Sequence, residues 1–140
     1  VSGTQEGVAA VAEQAAIIGA KRVIPLAVSG PFHSSLMKPA AERLRGVLEN
    51  VTLARPRCPV VANVTARPVS DPDEIRRLLV EQVASPVLWE DTVLWLVEQG
   101  VDTFIEIGPG NVLSGLVRKT NRSVRAVSLG SLEAIEQFAL

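Results

Sequence analysis

His33 is the only histidine in the chain, so any histidine-dependent reaction of this sequence must use it. It follows a short apolar segment and a Ser-Gly-Pro-Phe turn, and a predicted helix begins directly after it. The positive end of the helix dipole disfavours an imidazolium at this place, and a general base requires a neutral imidazole. A histidine that only caps or packs against the helix accounts for the spacing equally well.

A general base needs a nucleophile, and the sequence offers no convincing one. The G-x-S-x-G motif, which exposes a serine at the top of an α/β-hydrolase-like sheet, is absent. Ser29 and Ser114 are each followed by glycine, but neither has a glycine two positions before it. Cys58, the single cysteine, is more simply interpreted as a packed or unreactive thiol. The chain therefore has a candidate base without a partner to activate.

A glycine turn and two basic clusters are the other candidate features. The Gly108-Pro109-Gly110 segment is more typical of a tight strand-to-helix turn than of a nucleotide site, because proline lacks an N–H and no Lys-Ser/Thr follows. Glu106 before it either accepts hydrogen bonds within the fold or shapes a cleft. The clusters are Lys21-Arg22 and Arg118-Lys119 with Arg122. On sequence alone an ordinary solvated surface is the simpler interpretation of both.

Alternating strands and helices must position these residues. We predict helices that begin at Thr4, at Ser34 or Ser35, at Asp71, at Ser85, after Gly110 and at Ser131, and strands over 22–28, 59–64, 103–107 and 124–129. Segments 55–59 and 66–72 are predicted loops. Because helices of roughly ten or more residues separate the strands, parallel pairing and an α/β class are expected.

Composition excludes several classes of partner. The net charge of −1 leaves no global positive field for nucleic acid or an anionic membrane. The apolar share of 47% is that of a globular chain, and no apolar run reaches the roughly 20 residues that span a bilayer. One cysteine excludes an internal disulfide and a cysteine-based metal cluster, and we expect no metal site. With no signal-peptide pattern at the start, we expect a cytoplasmic location.

Four motifs, in the same order and spacing, closely resemble the C-terminal half of the malonyl-CoA:acyl carrier protein transacylase family, within the acyltransferases. They are Val28–Ala40 (VSGPFHSSLMKPA), Asn63-Val64, Gln82 with Ser85–Trp89 (SPVLW), and Phe104–Leu116 (FIEIGPGNVLSGL). The resemblance covers essentially the whole chain. It implies transfer of a malonyl group from coenzyme A to the phosphopantetheine thiol of acyl carrier protein in fatty acid biosynthesis, with malonyl-CoA as substrate and no bound cofactor.

The resemblance also assigns roles to single residues. His33 matches the family's catalytic histidine, and Gln82 matches the residue whose main-chain carbonyl holds the other ring nitrogen of that histidine. Phe32 matches a position that lines the acyl pocket, where an aromatic ring favours malonyl over α-methylated groups by its bulk. Basic positions that the family offers to an acidic carrier protein match Lys21, Arg22, Arg118 and Lys119.

Other parts of the family's machinery are not in this sequence. The serine that forms the malonyl-enzyme, the arginine that pairs with the malonate carboxylate and the N-terminal oxyanion residue precede this part of the family's sequence, so we expect the missing N-terminal portion to be a partner. The family's fold implies that residues 1–28 end an inserted ferredoxin-like subdomain and that residues 29–140 belong to a hydrolase-like parallel-sheet core. Two alternatives remain: a non-catalytic fragment that binds carrier protein, and an acyltransferase domain of a polyketide synthase.

Overall fold

The computed structural model describes residues 1–138, which form two compact units. The first unit runs from Val1 to Val87 and the second begins at Leu88. Both helices and strands are present, so the α/β class is confirmed. Within the described residues, no helix combines the length and the apolar character that a membrane crossing needs.

Helix α1 (Gln5–Ile17) opens the first unit where the sequence predicts it. The Thr4 hydroxyl accepts a hydrogen bond from the Gly7 N–H at 3.1 Å, which satisfies one free donor of the first turn. The helix ends before Gly19, whose φ of 88° is the left-handed conformation that glycine adopts without steric cost. None of the α1 residues is buried.

The predicted strand over residues 22–28 is wrong. The segment has no regular secondary structure and pairs with no strand among residues 1–138. Its apolar side chains face solvent: Ile24 is 66% exposed and Leu26 is 77% exposed. A strand is stabilised by the neighbour to which it hydrogen-bonds, so an apolar run of the right length does not form one alone.

Two helices, α2 (Lys38–Leu48) and α3 (Pro72–Gln82), pack against each other in the first unit. A 3₁₀ turn over Ser35–Met37 precedes α2, so helical structure begins where predicted, but Ser34 makes no side-chain cap bond. The Arg76 guanidinium of α3 donates to the main-chain carbonyl of Leu48, the last residue of α2. Ala41 of α2 and Leu78 of α3 are buried.

Strands β1 (Val60–Ala62) and β2 (Arg67–Val69) form an antiparallel hairpin. This corrects two predictions, because residues 66–72 were expected to be a loop and the pairing was expected to be parallel. Four residues connect the paired Ala62 and Arg67, too few for the crossover that parallel strands require. Ala66 makes the turn with a φ of 51° and is buried.

The second unit contains the parallel pairing that the sequence predicts. Strand β3 (Thr103–Ile107) pairs in parallel with β4 (Arg125–Leu129), with Ile105 opposite Val127. Helix α5 (Val112–Thr120) connects the two strands and packs on both of them. This is one strand–helix–strand crossover, and it determines the position of the turn that follows β3.

Two further helices, α4 (Trp89–Glu98) and α6 (Leu132–Glu136), complete the second unit. The predicted start of α4 at Ser85 is wrong. The Ser85 carbonyl, which would accept the first helical N–H bond, accepts the Gln82 side-chain amide at 3.3 Å instead. Helix α6 begins as predicted, with the Ser131 hydroxyl accepting from the Ala134 N–H at 3.2 Å, but it ends before Phe138.

Candidate functional site

The loop that carries His33 is held by local hydrogen bonds rather than by a strand. The Ser34 hydroxyl donates to the Pro31 carbonyl at 2.7 Å, which closes the loop around His33. His33 has a φ of 60°, the left-handed conformation that few residues other than glycine adopt. Such backbone conformations cost free energy and persist where the surrounding structure holds them, often at functional sites.

The imidazole of His33 reaches the end of helix α3. Its Nδ1 atom lies 3.1 Å from the main-chain oxygen of Gln82, the last residue of that helix. A carbonyl oxygen only accepts, so when this contact is a hydrogen bond, Nδ1 carries the proton and Nε2 keeps its lone pair. The His33 side chain is exposed. A fixed ring with a free, accessible Nε2 is the arrangement that a general base needs.

The Gln82 side chain makes a contact that the sequence analysis missed. Its Nε2 atom lies 3.2 Å from the same Nδ1 of His33 and donates to the Ser85 carbonyl at 3.3 Å. Its Oε1 atom is buried and has no hydrogen-bond partner among the described residues. The resemblance draws attention only to the main-chain carbonyl of Gln82, and a glutamine at a helix end carries no sequence signal for a ring contact.

Phe32 lies beside His33 and is half exposed. Its ring covers one side of Gly30, where a Cβ would lie 3.7 Å from the Phe32 Cζ atom. The absence of a side chain at Gly30 leaves room for this ring, and the exposed part of the ring faces solvent. A side chain at this position could line a pocket next to His33.

The four candidate docking residues are all exposed. Lys21 and Arg22 lie at the start of the unpaired segment of the first unit, and Arg118 and Lys119 lie in the last turn of α5 in the second unit. The Arg118 guanidinium donates to the Ala126 carbonyl of β4 at 2.5 Å. This bond holds Arg118 against its own unit, whereas the Lys119 side chain carries its charge into solvent.

Glu106 of β3 caps helix α5. Its carboxylate accepts hydrogen bonds from the main-chain N–H groups of Leu113 at 3.1 Å and Ser114 at 2.8 Å. The hydrogen bonds from Ser114 hold the pKa of the Glu106 carboxyl below its ordinary value. Of the two interpretations of Glu106, acceptance of hydrogen bonds within the fold is confirmed.

The glycine turn after β3 is a tight turn, as predicted. Gly108 and Gly110 have φ values of 130° and 100°, which L side chains rarely adopt. Two N–H groups that could bind a phosphate at the start of α5 donate to Glu106 instead. The local geometry therefore gives no support to an anion site here.

Two smaller predictions concern metals and the cysteine. Residues 1–138 contain no group of three or more His, Cys, Asp or Glu side chains that could hold a metal ion. Cys58 is a free thiol and is exposed, so it is not the packed thiol that was one interpretation of the sequence.

This chain is similar to known proteins in both sequence and fold. The malonyl CoA-acyl carrier protein transacylase of Bacillus subtilis (strain 168) is 49% identical to this chain over 136 residues, which are 97% of this chain and 43% of the relative. An acyl-carrier-protein-S-malonyltransferase from Bartonella henselae superposes with a TM-score of 0.88 at 44% identity, over 94% of this chain and 42% of that chain. A malonyl-transacylase solved with a type II polyketide synthase acyl-carrier protein gives a TM-score of 0.87 at 40% identity, over 95% of this chain and 43% of that chain.

These matches confirm the resemblance on which the sequence analysis relied. The chain spans about 43% of the length of the B. subtilis relative. A family model described as "Acyl transferase domain" matches residues 1–135, nearly the whole chain. The protein described by this sequence therefore belongs to the acyl transferase domain family.

Proposed function

We propose that this chain supplies the catalytic histidine, His33, of an acyltransferase. The enzyme transfers a malonyl group from coenzyme A to the phosphopantetheine thiol of acyl carrier protein in fatty acid biosynthesis. The observation that carries the proposal is the 3.1 Å contact between His33 Nδ1 and the Gln82 carbonyl, which leaves Nε2 free as a base. The names of the similar proteins identify them as malonyl transacylases and support the same reaction.

In the proposed reaction the nucleophile is a serine outside this chain. His33 Nε2 accepts the serine proton as the serine oxygen attacks the malonyl thioester, and the proton then passes to the departing coenzyme A sulfur. The phosphopantetheine thiol next gives its proton to Nε2 and attacks the malonyl-serine ester, and the serine leaves as its oxygen regains that proton. The Gln82 carbonyl stabilises the imidazolium in both halves. Malonyl-CoA is the substrate, and no bound cofactor is required.

The remainder of the acyltransferase is the first partner of this chain in the proposal. The relatives are more than twice as long, which leaves room for the serine, the arginine for the malonate carboxylate and the oxyanion residue. We propose that residues 1–28 complete a ferredoxin-like subdomain and that residues 29–140 belong to a hydrolase-like core. A cytoplasmic location, without nucleic acid or membrane partners, stays a prediction of the sequence.

Replacing His33 tests the proposal. The chain is combined with the complementary N-terminal portion of the B. subtilis relative, and transfer of malonyl from malonyl-CoA to acyl carrier protein is measured. Because general-base catalysis contributes about 100-fold to 10,000-fold, His33→Ala should reduce transfer by that order. Ser35→Ala, an exposed neighbour, serves as the control and should leave transfer unchanged. Full transfer by the assembled His33→Ala variant would refute the role of His33.

Phe32 is proposed to line the acyl pocket. Its half-exposed ring, one residue before His33, supports this, since bulk at that place would exclude a methyl group on the α-carbon of the acyl chain. The same assay tests this role when it is run with malonyl-CoA and with methylmalonyl-CoA. Phe32→Ala should raise the rate with methylmalonyl-CoA relative to the rate with malonyl-CoA.

The second proposed partner is acyl carrier protein, bound by Lys21, Arg22, Arg118 and Lys119. Their exposure supports this, as does the similarity to a malonyl-transacylase solved with a carrier protein. An acidic partner would gain favourable charge pairs with these side chains, and such binding weakens as salt screens them.

Charge reversal at Lys119 tests its proposed role in docking. Because an exposed ion pair is worth about 0.5–1 kcal/mol, Lys119→Glu should weaken carrier-protein binding by about twofold to fivefold at low salt. Lys38→Glu makes the same reversal at the exposed start of α2 and is the control. Equal weakening by both variants would argue against a specific surface.

Salt-sensitive binding without any transfer by the assembled enzyme would favour the non-catalytic alternative. Domains encoded on either side would favour a polyketide synthase.

A further inference from the structure

The Nδ1 atom of His33 lies near both a hydrogen-bond acceptor and a hydrogen-bond donor of Gln82. Nδ1 lies 3.1 Å from the Gln82 main-chain oxygen and 3.2 Å from the Gln82 side-chain nitrogen. The oxygen can only accept a hydrogen bond, whereas the amide nitrogen can only donate one. A ring nitrogen of neutral imidazole carries either a proton or a lone pair, so only one of these contacts is a hydrogen bond at any moment.

The two contacts correspond to the two neutral tautomers. With the proton on Nδ1, the main-chain carbonyl accepts it and Nε2 keeps a lone pair. With the proton on Nε2, the side-chain amide donates to the bare Nδ1, and Nε2 can no longer accept a proton. The second state is unable to act as a base.

The orientation of the Gln82 amide is fixed by a third group. One amide hydrogen is directed to the Ser85 carbonyl at 3.3 Å, and the second is available to His33. Rotating the amide by half a turn would place Oε1 against the Ser85 carbonyl, and two acceptors repel each other. The buried Oε1 has no partner among the described residues, so the orientation is maintained by the contacts of the nitrogen.

We propose that the Gln82 side chain is a positioning group that sets the tautomer of His33 by competing with the carbonyl of its own main chain. The side chain stabilises the tautomer with the proton on Nε2 and lowers the population of the base-competent one. The catalytic consequence rests on the proposed function, but the tautomer ratio is a property of this chain alone.

The test is ¹⁵N NMR of the imidazole, which separates protonated from bare ring nitrogens. Because His33 is the only histidine, every ring signal belongs to it. The unaltered chain at a pH where the ring is neutral should show both tautomers. Gln82→Met keeps the length of the side chain but removes the donor, and should shift the ratio about fivefold toward the proton on Nδ1, as the loss of one neutral hydrogen bond implies. Gln99→Met makes the same change at the exposed end of α4 and should leave the ratio unchanged.

A second variant covers the case in which Gln82→Met does not fold. Gln82→Glu offers only acceptors to His33 and should shift the ratio in the same direction and further. A single tautomer with the proton on Nδ1 in the unaltered chain, or an unchanged ratio in a folded Gln82 variant, would overturn the proposal. A shifted ratio together with full malonyl transfer by His33→Ala would keep the tautomer role and refute the proposed function, so the two failures are distinguishable.

Discussion

Glu106 lies on a strand and caps the N-terminus of helix α5. In other helices of this chain, the residue just before the helix is the cap. Thr4, Asp71 and Ser131 each accept N–H bonds from the helix that follows them. Asn111, at the corresponding place before α5, makes no side-chain cap bond. The carboxylate of Glu106 replaces it with two bonds, and its negative charge also faces the positive end of the helix dipole.

Lowering the pH should therefore weaken the second unit through Glu106. The pKa of this carboxyl is lowered by folding from its ordinary value of 4.5, so its contribution is present above that pH and is lost as the pH falls through the lower folded value. Glu106→Gln removes the charge, and its melting temperature should be lower than that of the unaltered chain at neutral pH and approach it in acid. Circular dichroism melts measure this.

The control for Glu106 is Glu98→Gln, which removes a charge from the exposed end of α4. It should leave the difference between neutral and acid melts as it is in the unaltered chain. A Glu106→Gln variant that loses the same stability at every pH would show that the charge is not responsible.

For single residues, the sequence indicates which side chains are candidates for function better than it indicates what those side chains contact. His33 stands out because it is the only histidine and lies in a loop before a helix. The contact of Gln82 with its ring depends on where α3 ends relative to that loop, which is a tertiary property. For Glu106, the sequence left two interpretations open because its seven-residue separation from Leu113 has no local signature.

Helix α3 shows how one element combines several local signals. Asp71 accepts from the N–H groups of Asp73 at 3.1 Å and Glu74 at 3.0 Å, and proline occupies the first helical position. Arg77 lies within ion-pair distance of both Glu74 and Glu81, one turn to either side. The helix must end at Gln82 for His33 to meet its carbonyl, so the stability of α3 bears on the site.

Removing the cap of α3 should destabilise the chain through Asp71, which lies at the opposite end of the helix from Gln82. Asp71→Ala should lower the free energy of unfolding by about 1 kcal/mol, the usual cost of a lost N-cap. Asp71→Asn keeps an accepting oxygen and should recover most of that loss. Urea titration of both variants measures the effect, and equal stability of the alanine and asparagine variants would contradict the capping role.

The elements that the sequence predicts correctly are those with signals inside them. Helices α1 and α3 have caps and apolar periodicity, and β3 and β4 are separated by a helix that enforces parallel pairing. Segment 22–28 has a strand-like composition, but a strand also needs a partner that composition does not reveal. Strand β2 was missed because Arg67-Pro68-Val69 has no apolar alternation and its pairing depends on the turn before it.

For the whole molecule, the unpaired apolar segment is the most informative surface. Val23, Ile24, Leu26 and Val28 are exposed, and α1 before them buries nothing. Exposed contiguous apolar surface usually marks an interaction site. The relatives have more than half of their length beyond the matched part. If the proposed function is correct, the remainder of the acyltransferase is the partner that covers this surface.

Assembly with the complementary portion should protect this segment. Backbone amides of residues 22–28 should exchange with deuterium more slowly in the assembled enzyme than in this chain alone, because pairing with a strand would engage them in hydrogen bonds. The amides of α3 are already bonded within the helix and provide the reference. An assembled, active enzyme with unchanged exchange over 22–28 would place the contact elsewhere.

The left-handed backbone of His33 sets a conflict between stability and activity at a single position. Glycine adopts a φ of 60° freely, whereas an L residue with a side chain does so at a cost. Selection for thermal stability alone would therefore favour the loss of the imidazole from this loop. A stabilised variant of this chain that retains its proposed chemistry has to gain its stability at other positions, such as the helix caps.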